Sequence, residues 1–117
     1  MNTRKFSKNQ ETNVAKKLGG SRQSNSGATM FRKGDVITEQ FLIECKTATT
    51  EKKSVTIVKE WLDKLAEEAF AMKRQRFALA FNFGGLQKAE NFYILNERQF
   101  LEYSRLLGEE SNNEETL

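Results

Sequence analysis

The chain has no histidine and a single cysteine, Cys45. No intramolecular disulfide can form, and a zinc site of the Cys/His type is excluded. Ser-His-Asp, Cys-His and histidine–metal catalysis are excluded as well. Acid–base work is left to carboxylates, lysines, tyrosines or metal-bound water. Long apolar runs are also missing. Nothing reads as an N-terminal signal segment, nothing approaches the length that spans a bilayer, and no internal repeat is visible. The expectation is a cytosolic protein with no membrane partner, in which Cys45 packs as a small apolar residue.

What is present is a chain of 117 residues, enough for one small domain, with unevenly spread charge. The formal net charge is +3, yet the last nine residues, Glu109 to Leu117, carry four acids and no base. Without them 19 basic residues face 12 acidic ones, a body charge of +7. Such an excess favours a polyanionic partner through sequence-independent phosphate contact. The plainer alternative is a mildly basic surface that aids solubility.

Residues 1–10, with Arg4, Lys5 and Lys8, read as a flexible basic arm, residues 11–108 as one domain, and residues 109–117 as a disordered acidic tail. Glu11 to Leu18 has a helical pattern, with Val14, Ala15 and Leu18 on one face and Gly19-Gly20 as the stop. Gly34-Asp35-Val36-Ile37 and Phe41-Leu42-Ile43-Glu44-Cys45-Lys46 read as a hairpin joined by Thr38, Glu39 and Gln40. Apolar periodicity predicts a long helix over Ile57 to Arg76, capped by Ser54 or Thr56. Its stripe is Val58, Trp61, Leu62, Leu65, Ala69 and Met72, with Trp61 in the core. Phe77 to Phe83 reads as a buried strand and Phe92 to Leu95 as a further one. Asn96 then caps a last helix that Gly108 stops. A strand, a long helix and another strand imply a parallel crossover. The expected fold class is α/β, a mixed sheet of at least four strands flanked by helices.

Alternation along the second hairpin strand puts Leu42, Glu44 and Lys46 on one face and Phe41, Ile43 and Cys45 on the other. Glu44 and Lys46 are therefore neighbours at the strand's exit, and Asp35 can reach the same spot. Two carboxylates beside a main-chain carbonyl, here that of Cys45, make a hard-oxygen site suited to Mg²⁺ or Mn²⁺. Such an ion polarises a phosphate and lowers the pKa of a bound water. Lys46 would steady the attacking water or the charge building on phosphorus. The competing reading is a surface Glu–Lys pair with Asp35 in a turn. Glu11 lies one turn before Val14-Ala15, so it either reaches this metal or is an acid placed near a helix N-terminus. The polar stretch Ser21 to Thr29, bracketed by Arg22, Arg32 and Lys33, either cradles a phosphate or is a solvated loop. Lys52 and Lys53 are expected at the DNA-facing edge, and Lys59 near the active site.

Gly34-Asp35 followed by Glu44-Cys45-Lys46 resembles the bipartite motif of the PD-(D/E)XK nuclease superfamily, with Gly34 in place of the motif's proline. Over roughly residues 8–95 the element order is similar to the restriction-endonuclease-like core of archaeal Holliday-junction resolvases and their phage relatives. The resemblance implies that Glu11, Asp35 and Glu44 surround the metal, that Lys46 is catalytic, and that Ser26-Gly27 contact phosphate. Lys59-Glu60-Trp61-Leu62-Asp63-Lys64-Leu65 and Ala78-Leu79-Ala80-Phe81 resemble a helix and strand of the phage subgroup. Lys59 stands nearest the place where other members carry glutamine. The implied activity is that of a Mg²⁺-dependent, structure-selective DNA endonuclease, a Holliday-junction resolvase acting as a homodimer on a four-way junction. If phage-encoded, it would work in the host cytoplasm. Three rivals stand beside it: another repair or recombination nuclease on the same core, a non-catalytic DNA-binding module, and a basic interaction protein with no nucleic-acid role.

Overall fold

Apolar runs separated by polar turns place the middle strands of one sheet against two helices. A computed structural model of the chain describes residues 3–22, 35–48, 50–85 and 90–115. The elements are α1 (Thr3–Leu18), β1 (Ser21–Arg22), β2 (Asp35–Ile37), β3 (Phe41–Lys46), α2 (Lys59–Ala71), β4 (Arg76–Phe81), β5 (Phe92–Ile94) and α3 (Glu97–Glu115). The five strands form one sheet in the order β1-β2-β3-β4-β5. Only β3 and β4 run parallel, linked by α2, and the other pairs are antiparallel. The α/β class and the mixed sheet of more than four strands are as expected. Among the described residues no helix is long and apolar enough to cross a membrane.

Strand parity divides the core in two. On one face Val14 and Ala15 of α1 pack on Val36, Ile43, Ala78 and Ala80. On the other, Leu65 and Ala69 of α2 pack on Ile37, Leu42 and Leu79. Each fully buried Leu, Ile or Val contributes about 1.5–3 kcal/mol here. The β2–β3 loop is closed by the Thr38 N–H donating to the Phe41 carbonyl at 3.0 Å and the Phe41 N–H donating to Thr38 Oγ1 at 3.0 Å. That closure sets Ile37 opposite Leu42, Val36 opposite Ile43, and Asp35 opposite Glu44.

Several element boundaries differ from the sequence reading. The helix expected from Glu11 begins at Thr3, so most of the stretch read as a flexible arm is helical. No glycine or proline interrupts residues 3–18, and Gln10 and Glu11 are themselves buried against the sheet. Its stop is as expected: Gly19 adopts φ 68°, and the Gly20 N–H donates to the Ala15 carbonyl at 2.9 Å. The long helix is shorter than its periodicity suggested. Its N-cap is Val58 with no side-chain cap bond, and neither Ser54 nor Thr56 serves. Lys73, at φ 57°, ends it, because Arg76 must already enter β4 beside Phe41.

Asn96 does cap α3, accepting the Gln99 N–H at 2.9 Å. Gly108 does not stop that helix, which runs on to Glu115 through most of the stretch read as a disordered tail. One exposed glycine among good helix formers costs only about 1 kcal/mol.

Buried Gln99 ties α3 to the sheet. Its Oε1 accepts the Phe77 N–H at 2.9 Å and its Nε2 donates to the Phe77 carbonyl at 3.0 Å. The β5 ladder reaches only from Leu79 to Phe81, so this amide stands in for a strand partner at Phe77. Replacing Gln99 by Leu is expected to destabilise the fold by about 2–3 kcal/mol, since both main-chain groups lose their partner. Urea titration checks this, and an unchanged midpoint would overturn it. Gly108→Ala, with open space around its added methyl, is expected to stabilise by about 0.5–1 kcal/mol in the same titration.

Candidate active site

The β2–β3 register fixes the centre of the site. Asp35 and Glu44 are direct partners across an antiparallel pair, which places their side chains on one face about 4.5–5.5 Å apart at Cβ. Both are withdrawn from water, at 1% and 5% exposure. Lys46 lies two residues beyond Glu44 on the same face, the face that α2 covers. Its Nζ sits 3.7 Å from Glu44 Oε1 and 4.3 Å above the centroid of the Trp61 ring. Trp61 is half-buried rather than central to the core. Its indole face holds the ammonium by a cation–π contact that leaves the Nζ hydrogens free to donate sideways.

Glu11 approaches from the other side. It is buried on α1, the helix over the Val36–Ile43 face, and Arg22 Nε donates to its Oε1 at 3.3 Å. Arg22, expected at a phosphate, is thus held on Glu11. The Cys45 thiol is pushed far above its ordinary range, first by burial and then by the charges of Glu11, Asp35 and Glu44. Cys45 is therefore the packed, unreactive residue expected of it.

The donor chemistry suits a hard cation. Among the described residues no three Cys, Asp or Glu side chains are arranged to hold one ion. That leaves the Asp35–Glu44 pair with the Cys45 carbonyl as donors. Mg²⁺ typically takes one or two carboxylates and fills its remaining positions with water and substrate phosphate. The two acids fit that pattern.

Lys52 and Lys53 are exposed in the segment that follows β3, with the Lys52 N–H donating to the Phe83 carbonyl at 2.7 Å. Lys59 is turned to solvent and paired with Asp63 at 2.8 Å, so it is not engaged at the carboxylates as expected. Ser26, Gly27, Arg32 and Lys33 lie outside the described residues.

Sequence reasoning missed the polar network behind the site. Buried Gln10 donates through Nε2 to the Lys46 carbonyl at 2.9 Å, the Ala80 carbonyl at 3.3 Å and Asn91 Oδ1 at 3.1 Å. Asn82 donates to the same Asn91 oxygen at 3.1 Å and accepts from Thr47 Oγ1 at 2.9 Å. The clue was present in the spacing, since Gln10 precedes Val14 by one helical turn.

The burial of Cys45 has a measurable consequence. At pH 9, near the thiol's ordinary value of 9.0, the native protein stays protonated there. Iodoacetamide is then expected to alkylate native Cys45 more than about tenfold slower than the denatured chain. Equal rates would contradict the placement. Comparison with protein-family models, with curated proteins and with solved structures finds no match to this chain.

Proposed function

We propose that the protein is a metal-dependent, structure-selective DNA endonuclease, a phage-type Holliday-junction resolvase that hydrolyses phosphodiester bonds in branched DNA. One observation carries the reading: two buried carboxylates in direct register with a lysine ammonium beside them on one sheet face. Burying two carboxylates side by side is costly for packing alone, and apolar side chains would fill the same space more cheaply.

Asp35 and Glu44, with the Cys45 carbonyl, would hold Mg²⁺ or Mn²⁺. When bound, that ion polarises the phosphate and makes its water more acidic. Lys46 donates hydrogen bonds to the attacking water or to the phosphoryl oxygens as charge builds on them. In the reaction one P–O bond forms from water and one P–O bond to the leaving strand breaks. Glu11, braced by Arg22, assists from the α1 side with its charge. Ser26, Gly27, Arg32, Lys33, Lys52 and Lys53 supply the phosphate contacts. Recognition of shape and backbone suffices for a junction, so base reading is not needed. A homodimer would set two such sites on two strands. The exposed apolar residues Phe100 and Leu107 of α3, at 62% and 66%, suit an association surface.

The test is incision of a synthetic four-way junction with Mg²⁺, against linear duplex and flap substrates. Paired nicks in the junction are expected, with loss of more than about a hundredfold in Asp35→Asn. Preference for linear duplex or single strands would move the protein to another nuclease class. Binding without any product, even with Mn²⁺, would leave a non-catalytic DNA-binding module. Failure to bind DNA at any salt concentration would leave a basic interaction protein.

A further inference from the structure

Next to the carboxylate pair, the sheet face under α2 ends in open aromatic rings. Phe81 is the register partner of Lys46 on β3 and of Phe92 on β5, so the three side chains stand in a row. The Phe81 and Phe92 rings lie 5.7 Å apart at 30°. Phe83 meets both edge-on, at 5.8 Å and 5.7 Å. An aromatic cluster at a strand end is ordinarily core. Here Phe92 stays 42% exposed, and Lys46 stands beside Phe81 in the strand register.

Lys46 stands on one side. At the Phe83 end, the main-chain N–H of Lys52 donates to the Phe83 carbonyl at 2.7 Å, so the exposed Lys52 and Lys53 belong to the segment that adjoins the rings. This placement is built rather than incidental. Gly84 takes φ 78°, and a side chain there would run into the Thr50 carbonyl, so the lysine-bearing segment lies directly on the turn after Phe83. Asn82 Oδ1 pins both segments, accepting from Thr47 Oγ1 and from the Gly84 N–H, each at 2.9 Å.

We infer that this patch binds an unpaired nucleobase, stacked on Phe92, with the adjoining phosphates facing Lys46, Lys52 and Lys53. A neutral apolar partner would gain nothing from the three lysines. A duplex keeps its bases inside the stack and cannot reach Phe92. A strand with exposed bases satisfies both the rings and the charges. The inference rests on the phosphodiester reading and narrows its substrate. Unpaired nucleotides sit close to the bond that is cut, as at a branch point or an opened end.

The experiment is fluorescence anisotropy with a labelled oligothymidylate and a blunt duplex of equal length, in EDTA so that nothing is cleaved. Phe92→Leu keeps apolar bulk but removes the ring. It is expected to weaken binding of the single strand about 5- to 150-fold, the worth of one stacked base. Duplex binding should stay unchanged, which also reports an intact fold. Phe92→Tyr, which restores a ring, should bind the single strand like the wild type. Lys52→Gln should lower the salt slope for the single strand by about 0.7. Unchanged single-strand affinity in Phe92→Leu would overturn the inference, as would equal loss on single strand and duplex. Junction incision that persists alongside such a result leaves the nuclease reading standing. Single-strand binding that needs Phe92 in a protein that never cuts would leave the patch and remove the nuclease.

Discussion

Asp35 and Glu44 face each other across the β2–β3 hairpin, both almost fully withdrawn from solvent. Like charges directly opposite on a strand pair oppose one another, and exclusion of water strengthens the repulsion. Lys46, 3.7 Å from Glu44, offsets part of it, and Trp61 keeps that ammonium in place. Across the sheet Arg22 does the same for Glu11. Glu11 and Glu44 are thus each set against a cation that remains part-exposed. A fold selected only for stability would replace such a cluster with apolar side chains.

The rest of the architecture keeps that cluster in position. The hairpin loop locks the register, and α1 and α2 clamp the two faces of the same strand pair. Where β3 and β4 end, Gln10, Asn82, Asn91 and Thr47 share hydrogen bonds, so the chain leaves the sheet along a defined path instead of fraying. The lysines after β3 and the rings after β4 are therefore held relative to Lys46. At the far side of the sheet, Gln99 completes β4 where β5 is too short to reach.

Legibility in the sequence followed the range of the forces involved. The hairpin, the Gly19-Gly20 stop and the Asn96 cap were readable because each depends on residues within a few positions of one another. The end of α2 was not, since Lys73 and Arg74 suit a helix end as well as a turn, and the pairing of Arg76 beside Phe41 made the choice. Gly108 misled because a single glycine is a weak breaker. The burial of Glu11 was legible from its place one turn before Val14, whereas that of Gln10 and Gln99 was hidden because each amide is satisfied by partners far away in the chain.

That Asp35, Glu44 and Lys46 share a face was determined by the sequence alone, because alternation along a strand is covalent geometry and a three-residue loop leaves few registers. What surrounds them was decided by tertiary structure. Trp61 beneath Lys46, Arg22 on Glu11 and Phe81 beside Lys46 join residues distant along the chain, and only the packing of helices and strands brings those groups within reach of each other.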